Sequence, residues 1–207
     1  MKICETFRSI QGEGVRMGEV TFFIRLAGCN LSCAWCDTPY SKEGGKDMSA
    51  ADVAHLAEKE MNVCITGGEP LLHNDICELI DMLIGKGKNV SVETNGSLDI
   101  SALPVHKRLM ISMDIKCPSS GMNDKMFLPN IPLLKETDQL KFIIASDADF
   151  EYAEAFIHSH DIKCPVIFTP AGGTDIKAMA EKVIGKGMNV RVLPQLHKII
   201  WGNARGV

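Results

Sequence analysis

Short runs rich in Val, Ile and Phe alternate along the chain with segments of helical periodicity. Seven runs predict β-strands, at residues 20–26, 62–66, 89–93, 109–115, 139–145, 166–169 and 189–193. Four segments predict helices, at residues 50–60, 74–85, 147–158 and 175–184. The expected N-terminal caps are Ser49, Ser146 and Thr174. Because strands joined through helices run in the same direction, the alternation predicts an α/β fold with a mostly parallel sheet.

The chain has the size and composition of one globular domain. Its 207 residues can bury a substantial core and no linker divides them, so we expect a single domain over residues 1–207. Hydrophobic residues make up 45% and charged residues 23%, as in soluble globular proteins. The net charge of −4, without a basic block, argues against a nucleic-acid partner. No apolar run is long enough to cross a membrane and no leader is legible, so we expect a cytoplasmic protein with reduced cysteines.

Three of the eight cysteines are grouped. Cys29, Cys33 and Cys36 form a C-x3-C-x2-C motif in the loop after strand 20–26. In a reducing compartment this spacing indicates a metal site, and thiolates select zinc or iron–sulfur clusters. A structural zinc ion normally takes four protein ligands, and the next ligand types, Asp37 and His55, are poorly placed. A [4Fe–4S] cluster held by three cysteines keeps one iron open to a cofactor or substrate, which favours the cluster over zinc.

The other five cysteines are isolated within apolar segments. A free cysteine in such a setting behaves as a small hydrophobic residue. We therefore expect these five to be buried without ligating a metal: Cys4, Cys64, Cys77, Cys117 and Cys164.

The cysteine spacing resembles the signature of the radical S-adenosylmethionine enzymes. In that family the second strand ends in a GGE-like motif that holds the methionine amino group, and here Thr66-Gly67-Gly68-Glu69 closes strand 62–66. Glycines allow the backbone to approach a ligand closely, and a carboxylate can accept from an ammonium group. The resemblance implies a shortened, partial (β/α) barrel with mostly parallel strands and with active residues at the carboxyl ends of the strands.

Seven blocks spread over the whole chain narrow the resemblance to the 7-carboxy-7-deazaguanine synthase family. These blocks are residues 5–14, 23–29, 36–38, 93–96, 114–121, 191–198 and 201–202. The resemblance implies a carbon–nitrogen lyase that contracts the ring of 6-carboxy-5,6,7,8-tetrahydropterin to 7-carboxy-7-deazaguanine with release of ammonia, in the biosynthesis of queuosine and other 7-deazapurines. The implied cofactors are a [4Fe–4S] cluster, S-adenosyl-L-methionine and Mg²⁺.

The resemblance also implies how the reaction proceeds and which partners it needs. The cluster gives one electron to S-adenosylmethionine, and the resulting 5′-deoxyadenosyl radical takes a hydrogen atom from substrate C6 and later returns it. The cofactors carry this chemistry, while the protein orients the reactants and excludes water. The implied partners are a small-molecule pterin substrate, an electron donor such as flavodoxin or ferredoxin, and a second copy of the chain in a homodimer.

The site residues follow from matching positions in the family's motifs. The metal ligands are Cys29, Cys33 and Cys36 for the cluster and Thr38 for magnesium. The residues implied for S-adenosylmethionine are Trp35, Cys36, Asp37, Thr66, Gly67, Gly68, Glu69, Gly96, Ser112, Asp114 and Lys116. The residues implied for the substrate are Ile10, Gln11, Gly12, Glu13, Arg25, Thr94, Gln195 and His197.

Arg25 can also be interpreted without the resemblance. It interrupts the apolar strand 20–26, where an unpaired guanidinium would be costly to bury. It therefore needs an anion, and the residues alone leave two choices open. One is a structural salt bridge, and the other is bidentate binding of a substrate carboxylate, the role that the resemblance implies.

Two other functions compete with this interpretation. A glycyl-radical-enzyme activase is a short radical enzyme that acts on a protein and often carries additional clustered cysteines, whereas the remaining cysteines here are scattered. A non-enzymatic module would use the cysteine motif to hold zinc or a storage cluster. Iron and sulfide contents near four per chain would distinguish the radical enzyme from this module.

Overall fold

The computed structural model describes residues 1–173 and 175–207, which form one nine-stranded sheet and five α-helices. The strands are β1 (Lys2–Ile10), β2 (Val20–Leu26), β3 (Lys46–Asp47), β4 (Asn62–Gly67), β5 (Asn89–Thr94), β6 (Leu109–Ile115), β7 (Gln139–Ile144), β8 (Val166–Pro170) and β9 (Arg191–Val192). The helices are α1 (Ala50–Leu56), α2 (Ile76–Gly85), α3 (Asp147–Ser159), α4 (Lys177–Lys186) and α5 (Leu196–Trp201).

The sheet is mostly parallel and open. Its strand order is β3-β1-β2-β4-β5-β6-β7-β8-β9, and every pairing from β2 to β9 is parallel. β1 runs antiparallel to both of its neighbours, β2 and β3. Since β3 and β9 form the two edges, the sheet does not close into a full barrel. The expected α/β class and shortened, mostly parallel barrel are confirmed.

β1 is a long strand that the apolar pattern does not predict. Its sequence KICETFRSI mixes charged and apolar residues, and most of its side chains are only half-buried. Strand pairing stabilises β1, because it is hydrogen-bonded to β2 from Ile3 to Ile10 and to β3 at Lys2 and Ile3. The first strand of the parallel set, β2, is therefore the second strand of the chain.

The predicted helices exist with shifted ends. α1 stops at Leu56 rather than residue 60, and α2 begins at Ile76 rather than residue 74. Two expected caps are present, because Ser49 accepts from the Asp52 amide and Ser146 from the Asp149 amide. α4 spans Lys177–Lys186 instead of residues 175–184. The cap expected at Thr174 lies outside the described residues. The predicted strand 189–193 is shorter in the structure, where β9 spans only Arg191–Val192.

The core lies between the sheet and the helices on its outer face. On β5 to β7 the outward residues are apolar and buried: Val90, Val92, Leu109, Ile111, Met113, Ile115, Leu140, Phe142 and Ile144. Most alternate residues on the same strands point to the inner face and are polar: Ser91, Glu93, Ser112, Asp114, Gln139 and Lys141. Helices α1 to α4 pack on the outer face, and the inner face carries a polar pocket.

The isolated cysteines divide into two groups. Cys64, Cys117 and Cys164 are buried as expected, and burial raises the pKa of Cys64 to about 12 and that of Cys164 to about 11. For Cys4 and Cys77 the expectation of full burial is wrong, since both are partly exposed. Cys4 lies on β1 beside the sheet edge, and Cys77 lies in the first turn of α2.

Within residues 1–173 and 175–207, no helix combines the length and the apolar character needed to cross a membrane.

Candidate active site

One pocket of about 620 Å³ lies at the carboxyl ends of the parallel strands. The site residues predicted from the sequence that line it are Ile10, Gln11, Gly12, Glu13, Arg25, Cys29, Cys33, Trp35, Cys36, Asp37, Thr38, Thr66, Gly67, Gly68, Thr94, Asp114, Lys116, Gln195 and His197. Three predicted residues lie outside the lining: Glu69, Gly96 and Ser112. The fold thus brings together segments that are separated by up to 187 residues in sequence, from Ile10 to His197.

The three grouped cysteines are unpaired and share the wall of this pocket. The Leu31 amide donates to Cys29 Sγ at 3.5 Å, and Asn95 Nδ2 donates to the same sulfur at 3.8 Å. Donors of this kind stabilise thiolates that bind metal. Among the described residues no three His, Cys, Asp or Glu side chains are grouped as ligands of a single metal ion. Three thiols around one cavity, with amide donors on a sulfur, fit an iron–sulfur cluster.

The cysteine loop is anchored to the segment after β6. The Ala34 amide donates to the Ser120 carbonyl at 3.0 Å, and Trp35 Nε1 donates to Ser119 Oγ at 3.0 Å. Ser119 in turn donates through Oγ to the carboxylate of Asp149, which is fully buried at the start of α3. The position of the loop is therefore set by contacts with residues more than 80 positions away in sequence.

Gly67 and Gly68 are required by packing between β2 and β4. Gly67 has φ +140°, and a Cβ there would lie 2.2 Å from the Leu26 carbonyl oxygen. A Cβ on Gly68 would lie 1.8 Å from the Gly28 carbonyl oxygen. Both glycines therefore serve the close approach of the two strand ends, in addition to any approach of a ligand. Because Gly28 precedes Cys29, this packing also places the cysteine loop.

Glu69 is fully buried behind the pocket wall. Its carboxylate accepts from the Asn95 amide at 2.7 Å, from Thr94 Oγ1 at 2.9 Å and from the Leu71 amide at 3.0 Å. Burial raises its pKa in spite of these hydrogen bonds. The carboxylate thus ties the end of β4 to the end of β5, and both of its oxygens already have protein partners.

A network of buried charges forms the floor of the pocket. Lys141 Nζ lies 2.7 Å from Glu93 Oε2, 3.0 Å from Glu13 Oε2 and 3.4 Å from Asp114 Oδ1. Asp114 also pairs with Lys116 Nζ at 2.7 Å. Three carboxylates and two ammonium groups therefore come together from β5, β6, β7 and the loop after β1.

The network shifts the pKa values of its ionisable groups in different directions. Burial disfavours ionisation of Glu13, but Lys141 and a hydrogen bond from Gln195 outweigh it and lower the Glu13 pKa to about 2. In Glu93 burial dominates over the attraction of Lys141, so its pKa is raised. Burial would lower the pKa of Lys141, but the surrounding carboxylates raise it well above its ordinary value. Glu13 and Lys141 are therefore charged at neutral pH.

Two oxygens in this network lack a hydrogen-bond donor in the described part of the chain: Glu93 Oε1 and Asp114 Oδ1. Buried acceptors are nearly always satisfied in folded proteins. Ser112 and Lys141 hold the other oxygen of Glu93, Oε2, each at 2.7 Å. These two oxygens are buried, but Glu93 and Asp114 both line the pocket, so its floor presents carboxylates to a ligand with N–H or O–H groups.

Arg25 has both an internal partner and free donors. Its Nε donates to Glu5 Oε1 at 2.8 Å, and Tyr40 Oη donates to the same oxygen at 3.0 Å. Among the described residues its two terminal nitrogens make no hydrogen bond. The Arg205 guanidinium lies 3.9 Å from the Tyr40 ring centroid, close enough for a cation–π contact. The structural salt bridge left open by the sequence exists, and it leaves the outer edge of the guanidinium for a ligand.

The C-terminal motif joins the pocket through contacts with the loop after β1. Gln195 Nε2 donates to Glu13 Oε1 at 2.6 Å, and the Leu196 amide donates to the Gly12 carbonyl at 2.8 Å. His197 lies in the first turn of α5, and a Cβ on Gly12 would lie 2.1 Å from its Nδ1. Burial lowers the pKa of His197, which favours the neutral imidazole.

The two remaining predicted residues support the floor and the wall. Ser112 is fully buried, donates to Glu93 and accepts from Gln139 Nε2 at 2.6 Å. Gly96 is buried with φ +75°, and a Cβ there would lie 2.4 Å from the Asp114 carbonyl oxygen. Neither residue lines the pocket, so the structure gives Ser112 and Gly96 a supporting role and no ligand contact.

Residues that shape the pocket and that sequence reasoning missed include Gln139, Lys141 and Tyr40. A usable signal existed for the first two. Strands of a parallel sheet covered on both faces read as nearly continuous apolar runs, whereas polar residues recur at alternate positions here, at 89, 91 and 93 in β5, at 112 and 114 in β6, and at 139 and 141 in β7. That alternation indicates a polar inner face and could have identified these side chains.

A cysteine triad at the carboxyl ends of a partial, mostly parallel barrel defines the radical S-adenosylmethionine class of enzymes. The model of the Radical SAM superfamily matches residues 23–126, half of the chain. The 7-carboxy-7-deazaguanine synthase of Methanospirillum hungatei is 47% identical over 97% of this chain and 85% of that protein. The enzyme of the same name from Thermoplasma acidophilum is 41% identical over the whole of both chains. The chain belongs to the 7-carboxy-7-deazaguanine synthase family.

Solved structures support the fold at lower identity. The crystal structure of QueE from Escherichia coli matches with a TM-score of 0.75 over 93% of each chain, at 22% identity. Streptococcus suis SuiB bound to precursor peptide SuiA matches with a TM-score of 0.62 over 83% of this chain and 47% of that chain, at 15% identity. The named relatives at 41–47% identity favour 7-carboxy-7-deazaguanine synthase over both the activase and the metal-storage alternatives.

Proposed function

We propose that this chain is a radical S-adenosylmethionine lyase that converts 6-carboxy-5,6,7,8-tetrahydropterin to 7-carboxy-7-deazaguanine with release of ammonia. The observation that carries the proposal is the single pocket of about 620 Å³ that joins the three cysteines to Arg25 and to the charged floor. A pocket of this size can hold a cofactor and a small heterocycle together.

The polar groups of the pocket match the two ends of a carboxypterin. Its aminopyrimidinone ring carries N–H donors, which suit the carboxylates of Glu93 and Asp114 on the floor of the pocket. Its carboxylate suits the terminal nitrogens of Arg25, since a guanidinium binds a carboxylate through two parallel hydrogen bonds. A ligand with donors at one end and a carboxylate at the other would therefore satisfy both parts of the pocket.

The cofactors would be held by groups already described. Cys29, Cys33 and Cys36 would ligate the [4Fe–4S] cluster, and the pocket wall at Thr66 to Gly68 would bind S-adenosylmethionine. When bound, these groups supply a one-electron cleavage that yields a 5′-deoxyadenosyl radical for hydrogen exchange at substrate C6. The protein's own part is to orient the substrate through Arg25 and to keep water away from the reacting atoms.

We expect Arg25→Ala to weaken substrate binding by about 2–5 kcal/mol, because the substrate carboxylate would lose its charged partner. Cluster content should stay intact, since Arg25 does not contact the cysteines. Calorimetric titration with substrate and iron analysis of the same sample test this. Arg8→Ala is the matched control, because Arg8 also lies on the β1–β2 hairpin but is exposed and pairs with Glu60. Equal affinity in the Arg25 and Arg8 variants would remove the role of Arg25.

Magnesium assistance is the part of the proposal that depends on Thr38. Thr38 lines the pocket, and its Oγ1 donates to Asp37 Oδ1 at 3.3 Å. A hydroxyl oxygen suits Mg²⁺, which binds few protein oxygens and keeps waters or substrate oxygens. We expect Thr38→Ala to raise the magnesium concentration needed for half-maximal turnover, while Thr38→Ser changes it little. A magnesium titration for Thr38→Ala that overlays the wild-type curve would contradict this role.

The proposal also includes properties of the whole protein. We infer one catalytic domain over residues 1–207, a homodimer, a cytoplasmic location, an electron donor such as flavodoxin or ferredoxin, and a product used for queuosine or another 7-deazapurine. Gel filtration with light scattering tests the dimer. Reduction by flavodoxin compared with ferredoxin, at equal concentration, tests the electron donor.

The direct test is anaerobic turnover by reconstituted protein. The assay contains S-adenosylmethionine, a reductant, magnesium and 6-carboxytetrahydropterin, and chromatography with mass detection follows the products. We expect 7-carboxy-7-deazaguanine. Formation of 5′-deoxyadenosine without this product would leave the radical chemistry in place and refute the substrate. Formation of neither product, in protein fully loaded with iron, would refute the enzyme itself.

A further inference from the structure

Lys141 is a buried cation to which the proposed reaction gives no role. It lies on β7 with only 5% of its side chain exposed, and lysine is almost never buried unless it is paired. Its Nζ contacts Glu13, Glu93 and Asp114, which come from the loop after β1, from β5 and from β6. A simple structural ion pair would need one carboxylate, whereas this ammonium group bridges three.

The bridge determines where two pocket carboxylates can lie. Glu13 and Glu93 both bind Lys141 Nζ through Oε2, so their charged groups lie on either side of one cation. Without that cation the two carboxylates would repel each other in a poorly solvated site. Gln195 holds the second oxygen of Glu13, whereas Oε1 of Glu93 has no donor among the described residues. The cation thus holds two carboxylates side by side on the floor of the pocket, which both residues line.

We propose that Lys141 is a positioning residue for the substrate, whose ammonium group holds the carboxylates of Glu13 and Glu93 as a fixed pair of acceptors for the N–H groups of the heterocycle. This inference rests on the proposed function, because it concerns the substrate of that same pocket. Lys141 acts through the two carboxylates and forms no bond with the reacting atoms.

The pH dependence of activity should reveal this role. The charged and titratable groups around the pair are Cys64 on β4, Asp114 on β6, Lys116 directly after β6, Lys141 on β7, and His197 on α5. Among these, Lys141 is the cation in direct contact with both carboxylates. Its removal should make at least one of them take up a proton at a higher pH, because a charged carboxylate then has less compensation.

We therefore expect Lys141→Met to move the acid limb of kcat/KM upward by about one pH unit or more. The KM for the pterin should rise most at low pH, while the iron content stays unchanged. Lys141→Arg keeps the charge and should keep the limb near its wild-type position. Adding Glu13→Gln to Lys141→Met removes one of the repelling charges, so the limb should move back even if the rate stays low.

The matched control is Lys88→Met. Lys88 is also buried, but it donates to the Glu58 carbonyl outside the pocket. This variant should lose stability without moving the acid limb. An unmoved limb in Lys141→Met, or a loss of kcat/KM by the same factor at every pH, would overturn the proposal. If Lys141→Met does not fold, an upward shift of the limb in Lys141→Arg would overturn it, because the charge is still present.

A second measurement separates failure of this inference from failure of the proposed function. If wild-type protein makes no deazaguanine, the proposed function fails. Titration of the full chain labelled with ¹³C at glutamate carboxyl groups then decides the role of Lys141, with Glu13→Gln and Glu93→Gln to assign the signals. We expect Lys141→Met to raise the carboxyl pKa of Glu13 or Glu93. Unchanged titration curves for both would overturn the inference.

Discussion

Cys33→Ala is expected to abolish formation of both 5′-deoxyadenosine and the deazaguanine product. The motif provides only three thiols for the cluster, and loss of one leaves two ligands in a pocket where no nearby cysteine can replace it. Since enzymes commonly accelerate reactions by about 10⁶-fold or more, loss of the cluster should take turnover below detection. Iron analysis and the anaerobic assay on the same reconstituted sample measure the two effects together.

Cys77→Ala is the matched control for this experiment. Cys77 is also a free cysteine, but it lies in the first turn of α2, outside the pocket, and alanine is a good helix former. We expect it to retain iron and full turnover. Wild-type turnover in Cys33→Ala would show that this cysteine is not a cluster ligand, and a similar loss in both variants would indicate general damage instead.

Gly68→Ala is expected to have the largest effect on folding of any single methyl addition near the pocket. The new Cβ would lie 1.8 Å from the Gly28 carbonyl oxygen and 2.9 Å from Cys29 Cβ. Backbone at this distance cannot yield as a flexible side chain can, so β2 and β4 must separate at their ends. Overpacking typically costs about 1–3 kcal/mol, and we expect the upper end of that range or more.

Thermal unfolding and iron loading test the effect of Gly68→Ala. The loop that carries Cys29 begins where the clash occurs, so the variant should also take up less iron. Gly85→Ala is the matched control, because a Cβ at this last residue of α2 meets nothing within 4 Å. We expect it to be neutral or slightly stabilising. A Gly68→Ala protein with wild-type stability and iron content would contradict the packing between the two strand ends.

Local patterns predicted the parts of the fold whose cause is local. Buried strands are runs rich in Val, Ile and Phe, so β2 and β4 to β8 were predicted from the sequence. The caps at Ser49 and Ser146 involve residues only three positions apart, and both were found. β1 and β3 were not legible, because their stability comes from pairing with strands whose sequence position the pattern does not report.

The residues of the site likewise divide into those predicted from local sequence and those placed by tertiary contacts. The residues of the cysteine motif, and those of the Thr66 to Glu69 turn, are close together in sequence. Their types already favour a cluster over zinc and predict a closely approaching ligand. Which of them line the pocket was decided by tertiary contacts. Glu69 has a plausible chemical type for binding an ammonium group, yet three hydrogen bonds from β4 and β5 neighbours hold it behind the wall.

The sequence by itself determined the class of fold and the family and predicted the metal ligands, because these depend on residue type, spacing and periodicity. Only the tertiary structure decided that Arg25 pairs with Glu5, that Gly68 packs on Gly28 and that Lys141 bridges carboxylates from three elements. The physical reason is that charge compensation and steric contact act across short distances in space. Strand pairing brings together residues that are as far apart in sequence as Glu13 and Lys141. No local sequence pattern reports such a contact.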